Sequence, residues 1–316
     1  TQVFEWLYLK NVNSFHEMNN ISQGLRQKLS ALYSIGPLQI NVKQVSKDGT
    51  IKYLFELEDG GLIEAVLMVH DYGRSLCITS QLGCNMACEF CASGLLKKQR
   101  NLTAGEMVNQ VLTVMHDTGE RVSHVVVMGT GEPFDNYDNM MNFIHIINHP
   151  KGLAIGARHI TISTCGLCDK IEMYAHEGIQ SNLAISLHAP NDEIRNQLMP
   201  INKKYPMDKL RETLAYYIQK TNRRVTLEYI LLKGVNDDIT HARQLAHYVK
   251  GLNAYVNLIP YNAVDEHGYQ QSLQKDVEAF KAELLRFHIN VTQRKEHGRD
   301  IDGACGQLRA KKVGEK

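Results

Sequence analysis

From about residue 75 onward, strand-like and helix-like runs alternate, and this alternation limits the possible folds more than any other feature of the sequence. Six apolar runs predict strands, near Leu76–Ser80, His124–Met128, His159–Ser163, Leu183–Leu187, Val225–Leu232 and Tyr255–Pro260. Six runs between and after them predict helices, near 104–117, 137–148, 168–178, 207–221, 238–250 and 273–287. Six strand–helix units imply parallel strands joined by right-handed crossovers. Either a barrel or an open doubly wound sheet would satisfy this pattern.

The residues that follow the strands favour the barrel. Polar, reactive or glycine residues come directly after most of the strands, at Cys84, Gly129–Glu132, Ser163–Thr164, Ser186–His188 and Asn262. Active-site residues of (βα) barrels gather at the carboxyl ends of several successive strands. We therefore predict an α/β fold of the partial (βα)6 TIM type, open on one side to admit a large substrate.

The first 73 residues show other patterns. Residues 1–45 predict helical structure, because Ile21, Leu25, Leu29 and Leu32 form one apolar stripe. This unit is too small to be robust alone, so we expect it to pack on the rest of the chain. Two further runs, separated by Asp59-Gly60-Gly61, predict a β-hairpin over 51–56 and 62–69.

Four units are expected along the chain. The chain begins at Thr1 without a methionine, so we expect the first unit to be truncated. The units are an accessory helical domain over 1–45, a β-hairpin linker over 46–73, the partial barrel over 74–297 and a tail over 298–316.

The stretch SQLGCNMACEFCASG, residues 80–94, holds Cys84, Cys88 and Cys91 in the spacing C-x3-C-x2-C. A structural zinc site needs four protein ligands. Three thiolates in one short loop instead suit a [4Fe–4S] cluster that leaves one iron free. The alternatives are a zinc ion with a fourth ligand from elsewhere, or three buried free thiols.

Composition narrows the class of protein. Seven cysteines, an odd number clustered in one loop, argue against a secreted disulfide scaffold and fit a reducing cytoplasm. A net charge of +1 does not by itself suggest a nucleic-acid binder. Basic pairs such as Arg223-Arg224 and Arg294-Lys295, taken alone, indicate solvated surface. The apolar runs fall far short of the ~20 residues of a membrane span, so we expect no membrane partner.

Six ordered blocks resemble the RlmN/Cfr family of radical S-adenosylmethionine (SAM) RNA methyltransferases. The blocks are SLCITSQLGCNMACEFCASG, VVVMGTGEPFDNYDN, GARHITIST, LAISLHAPND, VNLIPYN and DIDGACGQLR. The resemblance covers nearly the entire chain. It implies a [4Fe–4S] cluster on Cys84, Cys88 and Cys91, with SAM on the free iron. An electron donor such as a flavodoxin or a ferredoxin would reduce the cluster.

The resemblance also implies which residues bind SAM. These are Gly131, Glu132, Ser163, Ser186, Leu187, His188 and Asn262. From the residues alone, glycine lets backbone approach a ligand, and Glu132 can accept hydrogen bonds from a cationic amine. Taken singly, each serine or amide is more often a turn or cap residue, and His188 is equally a packing histidine.

Three further roles follow from the resemblance. Cys305 would carry a methyl group, Cys77 would form a transient disulfide with it, and Glu64 would accept a proton. Glycines flank the Ala304-Cys305 pair, which favours an exposed working thiol. From the residues alone, Cys77 is as well explained as a core residue, and Glu64 as an exposed strand residue.

The reaction implied is methylation of C2 of an adenosine in 23S rRNA at the peptidyl-transferase centre. A second substrate would be an adenosine beside the tRNA anticodon, with two SAM molecules used per turnover by a monomeric enzyme. Methylation at C8, found in the same family, is the nearest alternative, and Pro133 after Gly131-Glu132 favours C2. The sequence also leaves open a zinc-stabilised RNA-binding protein without catalysis and a radical SAM enzyme that acts on a small molecule.

Cys165 and Cys168 form a C-x-x-C pair outside the cysteine loop. Such a pair can serve redox or metal chemistry. We instead interpret these cysteines as two small residues at a strand–helix junction. Cys165 replaces the serine that is common at this position of the family.

Overall fold

The computed structural model describes residues 1–262, 267–298, 300–301 and 308–309. Its strands are β1 (Gln39–Val45), β2 (Ile51–Glu56), β3 (Leu62–His70), β4 (Gly73–Cys77), β5 (Gln81–Leu82), β6 (Arg100–Asn101), β7 (His124–Val127), β8 (Ile160–Thr164), β9 (Asn182–Ser186), β10 (Val225–Leu231), β11 (Ala254–Pro260) and β12 (Val291–Gln293). Ten of them form one sheet in the order β1-β2-β3-β4-β7-β8-β9-β10-β11-β12. The short strands β5 and β6 pair with each other.

The sheet changes character at β4. Strands β1 to β4 pair antiparallel, whereas every neighbouring pair from β4 to β12 is parallel. Within the described residues, β1 and β12 are the two edges of the sheet. The predicted partial barrel is therefore confirmed, and β12 adds a seventh parallel strand to the six that the sequence predicted.

Nine α-helices lie within the described residues. They are α1 (Gln2–Tyr8), α2 (Gln23–Leu32), α3 (Ala104–Thr118), α4 (Tyr137–Asn148), α5 (Cys168–Tyr174), α6 (Asp192–Leu198), α7 (Met207–Thr221), α8 (Ile239–Val249) and α9 (Gln274–Arg286). Helix α3 begins at Thr103, whose side chain and Glu106 form the two hydrogen bonds of a capping box. None of the helices described is long and apolar enough to cross a membrane.

The main hydrophobic core lies between the sheet and its helices. Val125, Ile162 and Leu227 are fully buried in strands and belong to one cluster with Val111 of α3 and Leu214 of α7. Helices on the crossovers therefore cover the parallel strands. This arrangement fixes the carboxyl ends of the strands, where the candidate site is found.

The N-terminal unit differs from its prediction. Leu25 and Leu32 are 46% and 74% exposed, and α2 has no buried residue. The other two residues of the predicted stripe do pack: Ile21 is buried with Trp6 and Met18 in a separate cluster that forms the core of this unit, and Leu29 packs against it. Residues 39–45 form the edge strand β1, so the prediction of helical structure over all of 1–45 is wrong there. The alternation in Gln39–Val45 suits a strand paired with β2.

The N-terminal unit packs on the barrel, as expected. The Phe4 ring lies 4.7 Å from the ring of His149, and a Cβ on Gly152 would stand only 2.9 Å from Phe4. Glu5 and Lys151 form an ion pair at 3.7 Å. The N-terminal unit therefore packs against the loop that follows α4.

The predicted hairpin is present as β2 and β3. It is continuous with the barrel, because β3 pairs with β4 and Val66 lies opposite Cys77. The four unit boundaries given by the sequence stay a prediction.

Candidate active site

A cavity of about 300 Å³ lies at the carboxyl ends of the parallel strands. Ten of the thirteen candidate residues line it: Cys77, Cys84, Cys88, Cys91, Gly131, Glu132, Ser163, Ser186, His188 and Asn262. Leu187 and Glu64 do not line it. Cys305 lies outside the described residues. Side chains spread over nearly two hundred positions of the sequence thus meet on one wall.

The cysteine loop is closed by its own backbone. The N–H of Cys84 donates to the carbonyl of Leu96 at 3.0 Å, and the N–H of Cys91 donates to the carbonyl of Cys88 at 3.1 Å. Gly83 has φ +87°, and a Cβ there would collide with the carbonyl oxygen of Lys97. Only glycine fits this close approach, which turns the loop towards the cavity.

The three thiols influence one another's ionisation. Burial raises the pKa of Cys84 to about 11 and holds that of Cys88 well above its usual value. For Cys88, charge on Cys91 and Cys84 is the next cause. A bound cationic centre reverses this effect, because it stabilises thiolates.

These thiols fit an iron–sulfur cluster by their shared cavity and their mutual charge effect. In the described part of the chain, no three His, Cys, Asp or Glu side chains, these thiols included, are arranged as a group that could hold a metal ion, so the fit rests on the kind of donor and the shared cavity and not on the distances between the thiols. The chemistry of the donor set, three thiols on one loop, suits a cluster with one iron open to another ligand.

The turn after β7 brings Glu132 to the cavity. Gly131 has φ +108°, and a Cβ there would stand 2.6 Å from Cβ of Gln81, so the turn lies tightly against the chain after β4. The N–H of Glu132 donates to Oε1 of Gln81 at 2.9 Å. Gly131 therefore permits the close approach of this turn to Gln81, and Glu132 places a carboxylate at the cavity.

Glu132 is a buried carboxylate. Its oxygens accept hydrogen bonds from the N–H groups of Cys165 at 2.7 Å and Phe134 at 3.0 Å. Burial raises its pKa. No ion pair of Glu132 is found among the residues that the structure describes. A ligand amine placed here would supply the missing positive charge.

Hydroxyl and amide groups stand beside this carboxylate. The Ser163 and Ser186 Oγ atoms, from neighbouring strands β8 and β9, are 3.4 Å apart. Asn262, directly after β11, lines the same cavity. Such groups can donate to and accept from ribose hydroxyls or adenine nitrogens.

His188 is held as a neutral ring. Its Nδ1 accepts a hydrogen bond from the N–H of Ile230 at 3.0 Å, so the ring proton is on Nε2. Burial, followed by the nearby Arg195 charge, lowers its pKa to about 3. Its ring meets Phe90 of the cysteine loop edge-on at 4.8 Å. His188 therefore packs against the loop and also lines the cavity.

Leu187 contributes backbone alone. Its side chain is fully buried in the main core. Its N–H donates to the carbonyl of Glu228 at 3.0 Å, and its carbonyl accepts from Nε of Arg195 at 3.2 Å. These two backbone hydrogen bonds hold the turn in which His188 follows.

Glu64 is buried, and the expectation of an exposed strand residue, made from the residues alone, is wrong. It is only 4% exposed, because β3 lies inside the sheet and C-terminal residues cover it. One oxygen pairs with Nζ of Lys52 at 2.8 Å, and the other accepts the N–H of Arg309 at 2.6 Å. Val66, two residues further along β3 and on the same face, does line the cavity.

The described residues on either side of Cys305 are anchored to the hairpin. The N–H of Gly298 donates to Asp48 at 3.0 Å, and Asp300 accepts the N–H of Lys47 at 3.1 Å. Arg309 then contacts Glu64. The chain that contains Cys305 thus begins and ends against β1–β3.

Cys165 and Cys168 take separate places. Cys165 lines the cavity, whereas Cys168 is buried in the main core at the start of α5. Both are free thiols at the junction of β8 and α5. Burial raises the pKa of each.

Two residues of the site were missed by the sequence interpretation. Arg195 is fully buried and donates to the carbonyls of Cys165 at 2.7 Å, Ser186 at 3.3 Å and Leu187 at 3.2 Å. Glu228 is a buried carboxylate on the cavity wall, and burial raises its pKa. A charged residue within the apolar run Val225–Leu231 is a signal that could have identified Glu228. Arg195 carries no such signal, since most of its neighbours in α6 are polar or charged.

Comparison with known proteins identifies the family of this chain. The Radical SAM superfamily model matches residues 78–246, and the model of the ribosomal RNA large subunit methyltransferase N-terminal domain matches residues 1–35. A Spiroplasma citri protein named "Probable dual-specificity RNA methyltransferase RlmN" is 60% identical over 99% of this chain and 91% of its own. A Geobacillus kaustophilus protein of the same name is 57% identical over 98% and 86%.

A solved structure also resembles this chain over nearly its whole length. The crystal structure of a radical SAM methyltransferase from Sphaerobacter thermophilus is 40% identical, with a TM-score of 0.93 over 98% of this chain and 92% of that one. The superfamily implies a [4Fe–4S] cluster and SAM. This chain belongs to the radical SAM superfamily and, within it, to the RlmN family of RNA methyltransferases.

Proposed function

We propose that this protein methylates C2 of an adenosine in 23S rRNA at the peptidyl-transferase centre, and of an adenosine beside the tRNA anticodon. The names of the relatives, dual-specificity RNA methyltransferases, support two RNA substrates. The observation that carries the proposal is the position of Cys77. This buried thiol lines the same cavity as the three thiols of the loop, yet it lies outside their motif.

The cavity residues divide into two groups. Cys84, Cys88 and Cys91 would hold the cluster. SAM would contact Gly131, Glu132, Ser163, Ser186, Leu187, His188 and Asn262. Glu132 would receive the amine, the hydroxyls and the Asn262 amide would contact ribose or adenine, and Nε2–H of His188 would donate. When bound, the cluster and SAM together supply a 5′-deoxyadenosyl radical, which removes a hydrogen atom from a methyl group.

The methyl group is carried by Cys305 in this proposal. Carbon C2 of adenine lies between two ring nitrogens and is electron-poor, so it does not attack a sulfonium methyl group. A thiolate does, so Cys305 would receive the methyl group of one SAM by direct displacement, with S-adenosylhomocysteine as the leaving group. A second SAM would supply the chemistry for hydrogen removal. The methyl carbon, having lost a hydrogen atom, bonds to C2 and links protein and RNA. Covalent catalysis divides one inaccessible step into accessible ones.

Glu64 would accept the proton of C2, while one electron leaves to a one-electron acceptor. Lys52 offsets the charge of the Glu64 carboxylate in this buried place. The N–H of Arg309 donates to its other oxygen, so the C-terminal residues lie directly against this carboxylate. The C-terminal tail would thereby couple the carrier of the methyl group to the base.

Cys77 would complete the cycle. Its thiolate attacks the sulfur of Cys305, the carbon–sulfur bond breaks, and the released carbon takes a proton to become the methyl group. A disulfide between Cys77 and Cys305 remains, and a thiol reductant must reduce it. We further infer a monomer in the cytoplasm that receives electrons from a flavodoxin or a ferredoxin.

Anaerobic reconstitution with iron, sulfide, SAM and an RNA fragment tests the reaction. Nucleoside chromatography with mass spectrometry distinguishes a methyl group on C2 from one on C8. We expect 2-methyladenosine. 8-Methyladenosine would support the alternative reaction, and unmodified RNA would contradict both.

The Cys77→Ala variant tests the resolving step. Without this thiol, the covalent protein–RNA adduct should accumulate, visible as a band of higher mass on a denaturing gel. Cys168→Ala is the matched control, because that buried thiol does not line the cavity. Release of methylated RNA over many turnovers by Cys77→Ala would rule out the resolving role.

A further inference from the structure

We propose that the amino end of the barrel is the docking surface for unpaired RNA, where bases stack on a row of histidine and tyrosine rings. This inference rests on the proposed RNA methyltransferase activity and names the surface that holds its substrate. The target adenosine would then reach the cysteines through the interior of the barrel.

Five rings form a continuous row, which we call the ring row: His297, His70, Tyr72, His124 and His159. Their centroids follow one another at 4.9, 4.6, 5.0 and 4.2 Å. The pairs His70–Tyr72 and His124–His159 are stacked, with interplanar angles of 10° and 26°. Rings arranged in this way can extend their stacking to the faces of nucleobases.

Four members of the ring row lie at the opposite end of the strands from the cysteine loop, whereas His297 follows β12 and also lines the cavity of the candidate active site. His124 begins β7, His159 directly precedes β8, and Tyr72 directly precedes β4. His70 ends β3, which runs antiparallel to β4 and so finishes at the same end. The five positions come from separate elements, and the sheet brings them together.

The ring row is open to a partner and carries little charge of its own. Tyr72 is 66% exposed, and His159 is exposed as well. Burial lowers the pKa of His70, His124 and His297, so these rings stay neutral near pH 7. Neutral rings favour stacking with bases, and any positive charge for the phosphates must come from other side chains.

Four cations supply that charge. Arg223, Arg224, Arg294 and Lys295 line the same cavity of about 670 Å³ as His70 and Tyr72. None of the four forms an ion pair within the described residues.

The two neighbouring arginines differ in their contacts. Nη2 of Arg223 donates to Oδ1 of Asn182 at 2.8 Å, and its buried Nε has no hydrogen-bond partner in the described structure. The guanidinium of Arg224 lies 4.5 Å from the Tyr255 ring. Guanidinium donors with spare capacity beside aromatic rings match phosphate and base of a single strand.

The interior of the barrel joins this surface to the candidate active site. Six residues line both cavities: Met68, Met128, Glu228, Arg294, Lys295 and His297. Met68 also packs in one cluster with Cys77. An adenine that is part of a duplex cannot reach a buried thiol, so the base must leave its stack. The ring row would hold the neighbouring unstacked nucleotides while the target base enters.

Tyr72→Ala in the reconstituted holoenzyme tests the ring row. Affinity for a fluorescent RNA hairpin that contains the target loop, measured by anisotropy, should fall about tenfold or more. Tyr72→Phe, which keeps the ring, should bind like the unmodified protein. Tyr216→Ala removes an exposed ring from the outer helix α7 and should change nothing. SAM affinity should stay the same in all three variants.

The pair Arg223→Ala/Arg224→Ala tests the phosphate contacts. The slope of log K against log salt concentration should become shallower by about 1.4, since each lost contact with single-stranded RNA removes roughly 0.7. Arg243→Ala/Arg286→Ala, on the outer helices α8 and α9, removes equal charge and should leave the slope unchanged.

The outcomes separate this inference from the proposed function. If the unmodified protein methylates RNA but both sets of variants bind RNA as it does, the docking surface alone is wrong. If the unmodified protein neither binds nor methylates RNA, the proposed function fails together with this inference.

Discussion

The same parallel strands end in two different kinds of surface. At their carboxyl ends, Glu132, His188 and Arg195 are buried and hydrogen-bonded to backbone from neighbouring elements. At their amino ends, Tyr72 is exposed, and Arg224 lies over a ring without an ion pair in the described residues. A small charged cofactor needs groups fixed in advance, whereas a long polymer needs accessible rings and charges. The difference indicates two ligands of different size at the two ends.

The largest expected effect belongs to the cysteine loop. Cys88→Ala should remove bound iron and abolish methylation, because three thiols are the least that the proposed cluster requires. Iron and sulfide analysis with visible absorption after anaerobic reconstitution gives the measurement. Cys165→Ala, which changes another thiol of the same cavity, should keep the iron. If Cys88→Ala kept as much iron as the unmodified protein, the assignment of the cluster to the carboxyl ends of the strands would be wrong.

A smaller effect, on stability, compares arginines from the two ends. Arg195→Met should lower the free energy of unfolding by about 3 kcal/mol, because several buried carbonyls lose their donor. Arg224→Met should change it by less than about 0.5 kcal/mol, as is usual at exposed positions. Urea unfolding followed by circular dichroism measures both values. Equal losses in the two variants would mean that the carboxyl end is no more fixed than the amino end.

A pH-dependent effect on stability is expected from His188. Its pKa is about 3 in the folded protein, below the ordinary value of 6.5, so the unfolded chain takes up the proton first as pH falls. The contribution is fully present above pH 6.5 and decreases below it, by about 1.4 kcal/mol per pH unit, until pH reaches the folded pKa.

Urea unfolding at several pH values should show this decrease, and His188→Gln should show a shallower one. The difference between the two proteins isolates His188 from other groups that titrate in this range. Identical pH profiles for both would refute the fixed neutral state of this ring.

Much of the barrel followed from the sequence, because strands and helices alternate with clear periodicity. The bounds of α4 and α7 agree with the prediction to the residue. The predicted apolar stripe was half right: Ile21 and Leu29 pack in the N-terminal cluster with Trp6 and Met18, whereas Leu25 and Leu32 are exposed. Helical spacing does not show which positions of a face a neighbour covers.

The candidate site was partly predictable for a similar reason. Motifs at strand ends identify residues such as Glu132 and Ser163, whose position follows from the topology. The burial of Glu64 depends on a strand and a tail that are more than two hundred residues apart in sequence. Arg195 could not be predicted, because its role depends on three carbonyls that only the folded sheet brings within reach.

The division between the two ends is tested most directly by titrating SAM and labelled RNA into the holoenzymes of Glu132→Gln and Tyr72→Ala. Glu132→Gln should bind SAM at least about tenfold more weakly, since it removes the charge that would meet the amine of SAM in the proposed function, and should bind RNA normally. Tyr72→Ala should bind RNA more weakly and SAM normally. Loss of both ligands in either variant, or loss of RNA alone in Glu132→Gln, would contradict the account.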